Sequence, residues 1–503
     1  MIDHLPVLLV VVPIVGAAVP LVASLYTDRA GWTIAAVTML VHAALAGLLV
    51  REVRTGGVVS YAVGGFTIPY GIELVVDGLT VAVVALISAI SLGVLAYARH
   101  AGPHENTFYS QFLLLVTGLT GMTVTGDVFN LYVFLEITGL AAYGLVASGR
   151  EASGAVAALK YLIVGTVGAS LYLLGVGYAL AATGTLNMAD MSAKLAAVGY
   201  DSTLVLTAFG LMVGGLTVKV ALFPLHTWQP DAYANSPDSV SAFISALVST
   251  VSAYALARLL FSVFTVEFLT AVPAARWALI AVASVSIVAG SALAVSQSSV
   301  QRMLAYSSVS QFGLVIAGFA VATPLAVVGA TVHLVGHAVM KGGLFAASGI
   351  IERETGATTL GGYAGMGTRT PVAAGAFTVL ALGMVGVPPA IGFVGKWYIL
   401  VGAVEAQLWP VVGVLLLSTL LTLAYFARLG ERLYFAEPTI REEGAVADGG
   451  ERPESDSQPD GATGVSTGML AVVVVAAVLA VALTAAVPAL EQLLIETLPS
   501  LLQ

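Results

Sequence analysis

His333, His337 and Lys341 stand four residues apart in "HLVGHAVMKGGLF", so all three project from one face of a helix. Each step along that face is about 6 Å. The surrounding run, Leu325 to Ile350, is otherwise apolar. An Asp, Lys or Arg at the centre of a membrane helix costs roughly 2.5–3.5 kcal/mol on insertion scales, so such groups mark routes for ions or protons. Histidine titrates near neutrality, and a water-bridged row of imidazoles and an amine can pass a proton along. Histidines at i and i+4 can also bind zinc, but the cationic Lys341 comes next on that face and no thiolate or nearby acid completes a site. Haem is a poor fit, because two histidines on one face cannot reach a single iron from both sides. Histidines that merely satisfy the core are the plain alternative to a relay.

Other charges repeat the theme. The chain has five lysines, and Lys160, Lys219, Lys341 and Lys396 all fall inside apolar runs. Glu136, in "GDVFNLYVFLEITGLAAYG", is the only acid well inside its run, and Lys219 is the partner type for it. A lysine facing a carboxylate keeps its proton; if the carboxylate is neutralised or drawn away, the proton can leave. A static ion pair is the alternative, although such pairs stabilise weakly. Lys396 follows the Pro388–Pro389 break, where water could enter. Arg258 and Arg302 read as interfacial anchors, and Lys160 as either an anchor or a route residue. Asp77 and Asp127 read as helix caps.

The elements that position these groups are membrane helices. The 503-residue chain is 58% hydrophobic and 9% charged, with mean hydropathy +0.98. Apolar runs near the roughly 20 residues needed to cross hydrocarbon recur almost end to end. The expected fold is an all-α polytopic membrane protein of about fourteen spans, near 5–26, 31–50, 76–98, 108–125, 128–148, 155–182, 203–224, 238–263, 275–295, 303–321, 324–350, 371–402, 408–434 and 468–490. Span seven is broken by Pro224, Pro230 and Pro237, and span twelve by Pro388 and Pro389. Proline removes an intrahelical hydrogen bond, which is tolerated at membrane depth only where protein or water satisfies the backbone. Two interrupted spans five apart, each with a lysine, point to an internally repeated transporter. The expected division is spans one to three (1–107), a first five-span half (108–263), a second (275–434), an acidic disordered loop (436–467), and a last span with its tail (468–503).

Loops after odd-numbered spans hold ten basic residues and loops after even-numbered spans five, which puts the odd loops in the cytoplasm and both termini outside. No basic n-region precedes the first apolar run, so it reads as a span rather than a cleaved signal. The absence of cysteine excludes thiolate zinc, iron–sulfur ligation and disulfides. Eight acids against two arginines between Glu437 and Asp460 describe a solvated segment, not a nucleic-acid surface. Fourteen arginines against five lysines, with that acidic loop, suggest a salt-adapted prokaryote and its plasma membrane.

The ordered motifs "TGDVFNLYVFLE" (Thr125–Glu136), "GTLNMADM" (Gly184–Met191), "KVALFPLHTWQPDA" (Lys219–Ala232), "HLVGHAVMKGGLF" (His333–Phe345) and "GVPPAIGFVGK" (Gly386–Lys396) resemble the antiporter-like subunits shared by respiratory complex I, membrane-bound hydrogenases and Mrp-type sodium/proton antiporters. The D-type chain of the Mrp antiporters looks nearest, while "PLHTWQPDA" is more like the complex I branch. The resemblance implies two inverted five-helix repeats with broken helices. It also implies a Glu136–Lys219 pair, a central His337–Lys341 relay and a terminal Lys396, with His333 matching a histidine found in some branches. Where the family has a Thr–Lys pair in span eight, this chain has Ser249 and Thr250. A hydroxyl can hold a water but cannot carry the charge.

The leading expectation is a proton-translocating subunit of a multisubunit sodium/proton antiporter, with small hydrophobic subunits and a second large antiporter-like chain as partners and no cofactor. The alternative is a proton-pumping, non-redox subunit in the membrane arm of a complex I-like or hydrogenase oxidoreductase. A scaffold with a degenerate path is the third reading.

Overall fold

The computed structural model describes residues 4–102, 104–149, 151–437 and 464–501. Most of the acidic segment expected at 436–467 lies outside the described residues. In lipid every backbone amide and carbonyl needs an internal partner, so an apolar chain of this length folds into helices. In order these are α1 (Leu5–Ala23), α2 (Gly31–Gly56), α3 (Gly78–Ala101), α4 (Asn106–Val124), α5 (Val128–Val146), α6 (Ala152–Thr183), α7 (Met188–Val198), α8 (Thr203–Val220), α9 (Gln229–Asn235) and α10 (Asp238–Arg258). They continue with α11 (Thr265–Ala271), α12 (Pro273–Ser296), α13 (Val300–Val321), α14 (Pro324–Thr355), α15 (Met366–Arg369), α16 (Pro371–Val385), α17 (Ile391–Glu405), α18 (Trp409–Tyr434), α19 (Thr467–Ala482) and α20 (Val487–Leu501).

Among the described residues, thirteen helices are long and apolar enough to cross a membrane. The fourteenth expected span is α16 plus α17, split at the prolines. All fourteen spans therefore have a counterpart, and both expected breaks are present. α8 ends at Val220, followed by Ala221 in the left-handed region, and the chain does not resume a helix until Gln229. One element was not expected. Val59–Ala62 (β1) and Glu73–Val76 (β2) form an antiparallel hairpin, Val59 opposite Val76, between the second and third spans. Asp77 and Asp127 are N-caps as expected, accepting from the amides of Thr80 and Asn130.

The two halves repeat at a fixed interval of 172 residues. Val128 N–H donates to the Leu186 carbonyl, and Val300 N–H to that of Thr358; Met188 N–H donates to the Gly126 carbonyl, and Leu360 N–H to that of Ser298. Asp127 thereby bridges Asn187 as Ser299 bridges Thr359. The helices between these anchors, α6 and α14, each run 32 residues and end on a left-handed glycine, Gly184 and Gly356, both at φ 70°. The packing matches too: α4 lies on α5 as α12 lies on α13, and α6 on α8 as α14 on α16. Counterparts five spans apart cross the membrane in opposite directions, so the repeat is inverted. α14 sits at the centre, packed by α10, α13, α16, α17 and α19 and buried along nearly its whole length.

Candidate proton-relay site

Every intramembrane lysine is held by a distinct local device. Lys219 occupies the last turn of α8, just before the break, and is buried. Its Nζ donates to the Tyr143 hydroxyl at 3.0 Å. Gly165 on α6 makes room for this contact, since a Cβ there would collide with the Tyr143 hydroxyl and come 3.3 Å from Lys219 Nζ. The expected Glu136–Lys219 ion pair does not form: no carboxylate lies within 4.0 Å of Lys219 among the described residues. One Glu136 oxygen is instead buried without a hydrogen-bond partner. Tyr143 follows Glu136 by seven residues, two turns along the same face of α5, and its hydroxyl takes the place expected for the carboxylate.

Thr250 on α10 is fully buried and donates to Ala246 O of its own helix at 2.7 Å. Its neighbour Ser249 makes the cross-helix contacts, accepting from Gln229 Nε2 at 3.2 Å and donating to the Lys219 carbonyl at 3.4 Å. The hydroxyl link beside Lys219 therefore runs through Ser249.

The three residues on α14 are all fully buried. Lys341 Nζ donates to the Leu304 carbonyl at 2.6 Å and to the Ser307 hydroxyl, both on α13. His333 Nε2 pairs with Gln311 Oε1 at 2.9 Å. His337 has no partner on either nitrogen among the described residues, and it meets Phe312 edge-on, ring centres 4.6 Å apart. Lys396, on α17, donates to the Met384 and Val385 carbonyls at 2.8 and 3.0 Å. Those carbonyls end α16, where the proline break leaves acceptors without intrahelical donors.

Three basic residues have clearer roles than the sequence allowed. Arg258 is no interfacial anchor. It is buried, 2.5 Å from Asp77 through Nη2, and its Nε donates to the Tyr254 hydroxyl at 2.8 Å. Lys160 and Arg302 converge on Asp231, at 2.5 and 2.8 Å, tying α6 and α13 to α9. Burial alone would raise the Asp231 carboxyl, but the two cations outweigh it and hold it below its ordinary value. Tyr143, Gln311 and Ser307 were missed. They are uncharged, and a search for charges within spans passes over them.

The family model described as NADH:quinone oxidoreductase/Mrp antiporter, transmembrane, matches residues 125–422, more than half of the chain. The chain belongs to this family. Within the NADH:quinone oxidoreductase/Mrp antiporter family, it is 43% identical over 461 residues to the NADH-quinone oxidoreductase N subunit of Desulforudis audaxviator, covering 89% of this chain and 91% of that protein. It is 33% identical over 399 residues to the Na(+)/H(+) antiporter D subunit of Bacillus subtilis, covering 78% and 79%. A chain of the membrane-bound sulfane sulfur reductase, an archaeal respiratory membrane complex, superposes with TM-score 0.88 at 28% identity over 99% of this chain and 98% of that one. The family's antiporter-like fold is thus present, and the chain is a proton-translocating, antiporter-like membrane subunit. The expected lean towards the D-type Mrp chain is corrected: identity is higher to the oxidoreductase N subunit, in line with the complex I character of "PLHTWQPDA".

Proposed function

We propose that the chain moves protons as a non-redox subunit in the membrane arm of a respiratory oxidoreductase complex. The 43% identity to an oxidoreductase N subunit across 89% of the chain supports that assembly. The path follows Glu136, Lys219, Ser249 in place of the expected Thr250, His333, His337, Lys341 and Lys396. The row of buried His333, His337 and Lys341 on one face of the central helix carries this reading. At one end Lys219 keeps its ammonium on the Tyr143 hydroxyl, near enough to Glu136 to respond to its charge. At the other, Lys396 rests on carbonyls exposed by the α16–α17 break. Between them the imidazoles and Lys341 exchange protons through hydroxyls and water.

The second reading is the D-type chain of a sodium/proton exchanger, supported by the Bacillus subtilis relative. Mass spectrometry of what co-purifies from mild-detergent membranes separates the two. Peripheral chains carrying flavin or iron–sulfur clusters support the oxidoreductase. Small hydrophobic chains with a second large antiporter-like chain, and none of those peripheral chains, overturn it. Proton flux in proteoliposomes should fall to background with Lys219→Ala. Unchanged flux would make the chain a scaffold.

A further inference from the structure

We propose that Glu352 is a further proton-carrying residue, the port through which the row on α14 exchanges protons with water at one membrane face. This deepens the proton-translocating reading above and rests on it. The strip of α14 that carries His333, His337 and Lys341 does not end at the lysine. Ser348 follows Lys341 by seven residues and Glu352 follows Ser348 by four, so both stand on the same strip. His333, His337, Lys341 and Ser348 are all buried. Glu352 is only half-buried, at the helix end beside the loops that follow odd-numbered spans.

The carboxylate is held there without being committed. Gln301 Nε2, on α13, donates to Glu352 Oε2 at 3.0 Å, and no cation lies within 4.0 Å of it among the described residues. An amide N–H can steady a carboxyl in either of its charge states. The adjacent Arg353 is taken by Asp238, the first residue of α10, at 2.8 Å. Gly349 opens the slot for that partner, since a Cβ there would collide with the Asp238 carboxyl. The charged groups around Glu352 are thus Asp238 on α10, Glu151 at the start of α6, and Arg353 on its own helix.

Two threads lead inward. The buried Ser348 and Tyr363 hydroxyls are 3.1 Å apart, and Tyr363, in the segment after α14, lies near enough to Glu352 and Asp238 to feel their charges. On α13, Gln301 bonds Glu352 and the Leu304 carbonyl accepts from Lys341. Those two residues are separated by about 4.5 Å of helix, so one short stretch of α13 touches both ends of the step. From Ser348 to Lys341 is about 10 Å along α14, a distance for bridging water. A carboxylate at the port takes a proton from water and becomes a neutral carboxyl; passing the proton inward restores the carboxylate. Each hydroxyl gives one proton as it receives one, and Lys341 receives it as a free amine and becomes an ammonium.

The test is proton translocation by the whole complex in proteoliposomes, measured across pH, with thermal unfolding of each variant alongside. Glu352→Gln keeps the shape of the side chain but cannot carry a proton. Positioned proton carriers contribute about 100-fold or more in catalysis, and a fall of at least about tenfold is expected here. The part of the wild-type pH dependence that Glu352 supplies should vanish with it. Glu352→Asp keeps a carboxyl and should recover part of both the rate and the pH dependence. Glu354→Gln, exposed and on the opposite side of α14, should stay within about twofold of wild type. Should Glu352→Gln fail to assemble, Tyr363→Phe removes one hydroxyl of the inward thread and should slow translocation in the same direction. A Glu352→Gln rate within about twofold of wild type overturns the proposal. So does a loss that is equal at every pH and comes with a lowered unfolding temperature, which would make Glu352 a tie between α13 and α14. A wild-type complex that moves no protons overturns the proton-translocating reading and the port with it, whereas normal wild-type flux with an indifferent Glu352→Gln overturns the port alone.

Discussion

Lys219 on α8 reaches across to Tyr143 on α5, with Nζ donating to the phenol oxygen at 3.0 Å. Because that oxygen is neutral, the lysine is held in place without its charge being cancelled. Glu136, free of direct bonding to Lys219, can then change its charge without breaking the contact that holds the lysine.

Tyr143→Phe removes the hydroxyl and little else. Hydrogen bonds to charged groups contribute about 1.5–3 kcal/mol, so proton translocation should drop by about tenfold or more. Rates in proteoliposomes check this, and a rate within about twofold of wild type would show that the contact is incidental.

Gly165→Ala should mimic Tyr143→Phe, because the new methyl takes the space of the Tyr143 hydroxyl. Gly177→Ala on the same helix meets nothing within 4 Å and serves as the control. Equal translocation rates in the two variants would count against the slot.

Thr250→Val should change translocation by less than about twofold, since the Thr250 hydroxyl is already spent on its own helix. Ser249→Ala should do more, as it cuts the link between Gln229 and the Lys219 carbonyl. The reverse order would put the working hydroxyl at 250.

Asp77→Ala leaves Arg258 buried without its carboxylate. Removing one partner of a buried pair costs roughly 3–5 kcal/mol, so thermal unfolding in detergent should shift strongly downward. An unchanged midpoint would return Arg258 to the role of a simple anchor.

Asp231→Asn tests the three-way tie of α6, α9 and α13. A carboxyl held below its ordinary value stabilises the fold above the unfolded-state pKa of about 4, and that stability is lost as pH falls through the folded value. The variant should unfold at lower temperature than wild type at neutral pH, and the gap should close below pH of about 4. A gap independent of pH would mean that the charge is not what holds the tie.

The fourteen spans were legible because length and apolarity alone specify a crossing, and because proline leaves an unambiguous mark on a helix. The charged members of the site were legible for the same reason: in an apolar run each stands out. Their partners were not. Asp77 and Arg258 are 181 positions apart, and nothing local tells a span-end arginine that snorkels from one that turns inward to a cap. Tyr143 and Gln311 were hidden by being neutral, although "YSSVSQFG" places an amide and three serines in the middle of a span. The β1–β2 hairpin was missed because its glycine-rich surroundings read as a loop.

The 172-residue interval shows how labour is divided between the copies. Subtracting it from His333, His337 and Lys341 lands on Tyr161, Gly165 and Ala169, so the first copy carries an aromatic and two small residues where the second carries its titrating row. Those substitutes are not idle. Tyr161 stacks on Trp228, and Gly165 opens the slot for Tyr143. A unit with an odd number of crossings, copied in tandem, must enter the membrane the other way up, and so offers the same framework to each water phase. One copy has used it to shelter a single lysine and the other to string charges along its axis. The asymmetry that a directional device needs thus comes from side chains alone, on a backbone that is close to the same twice.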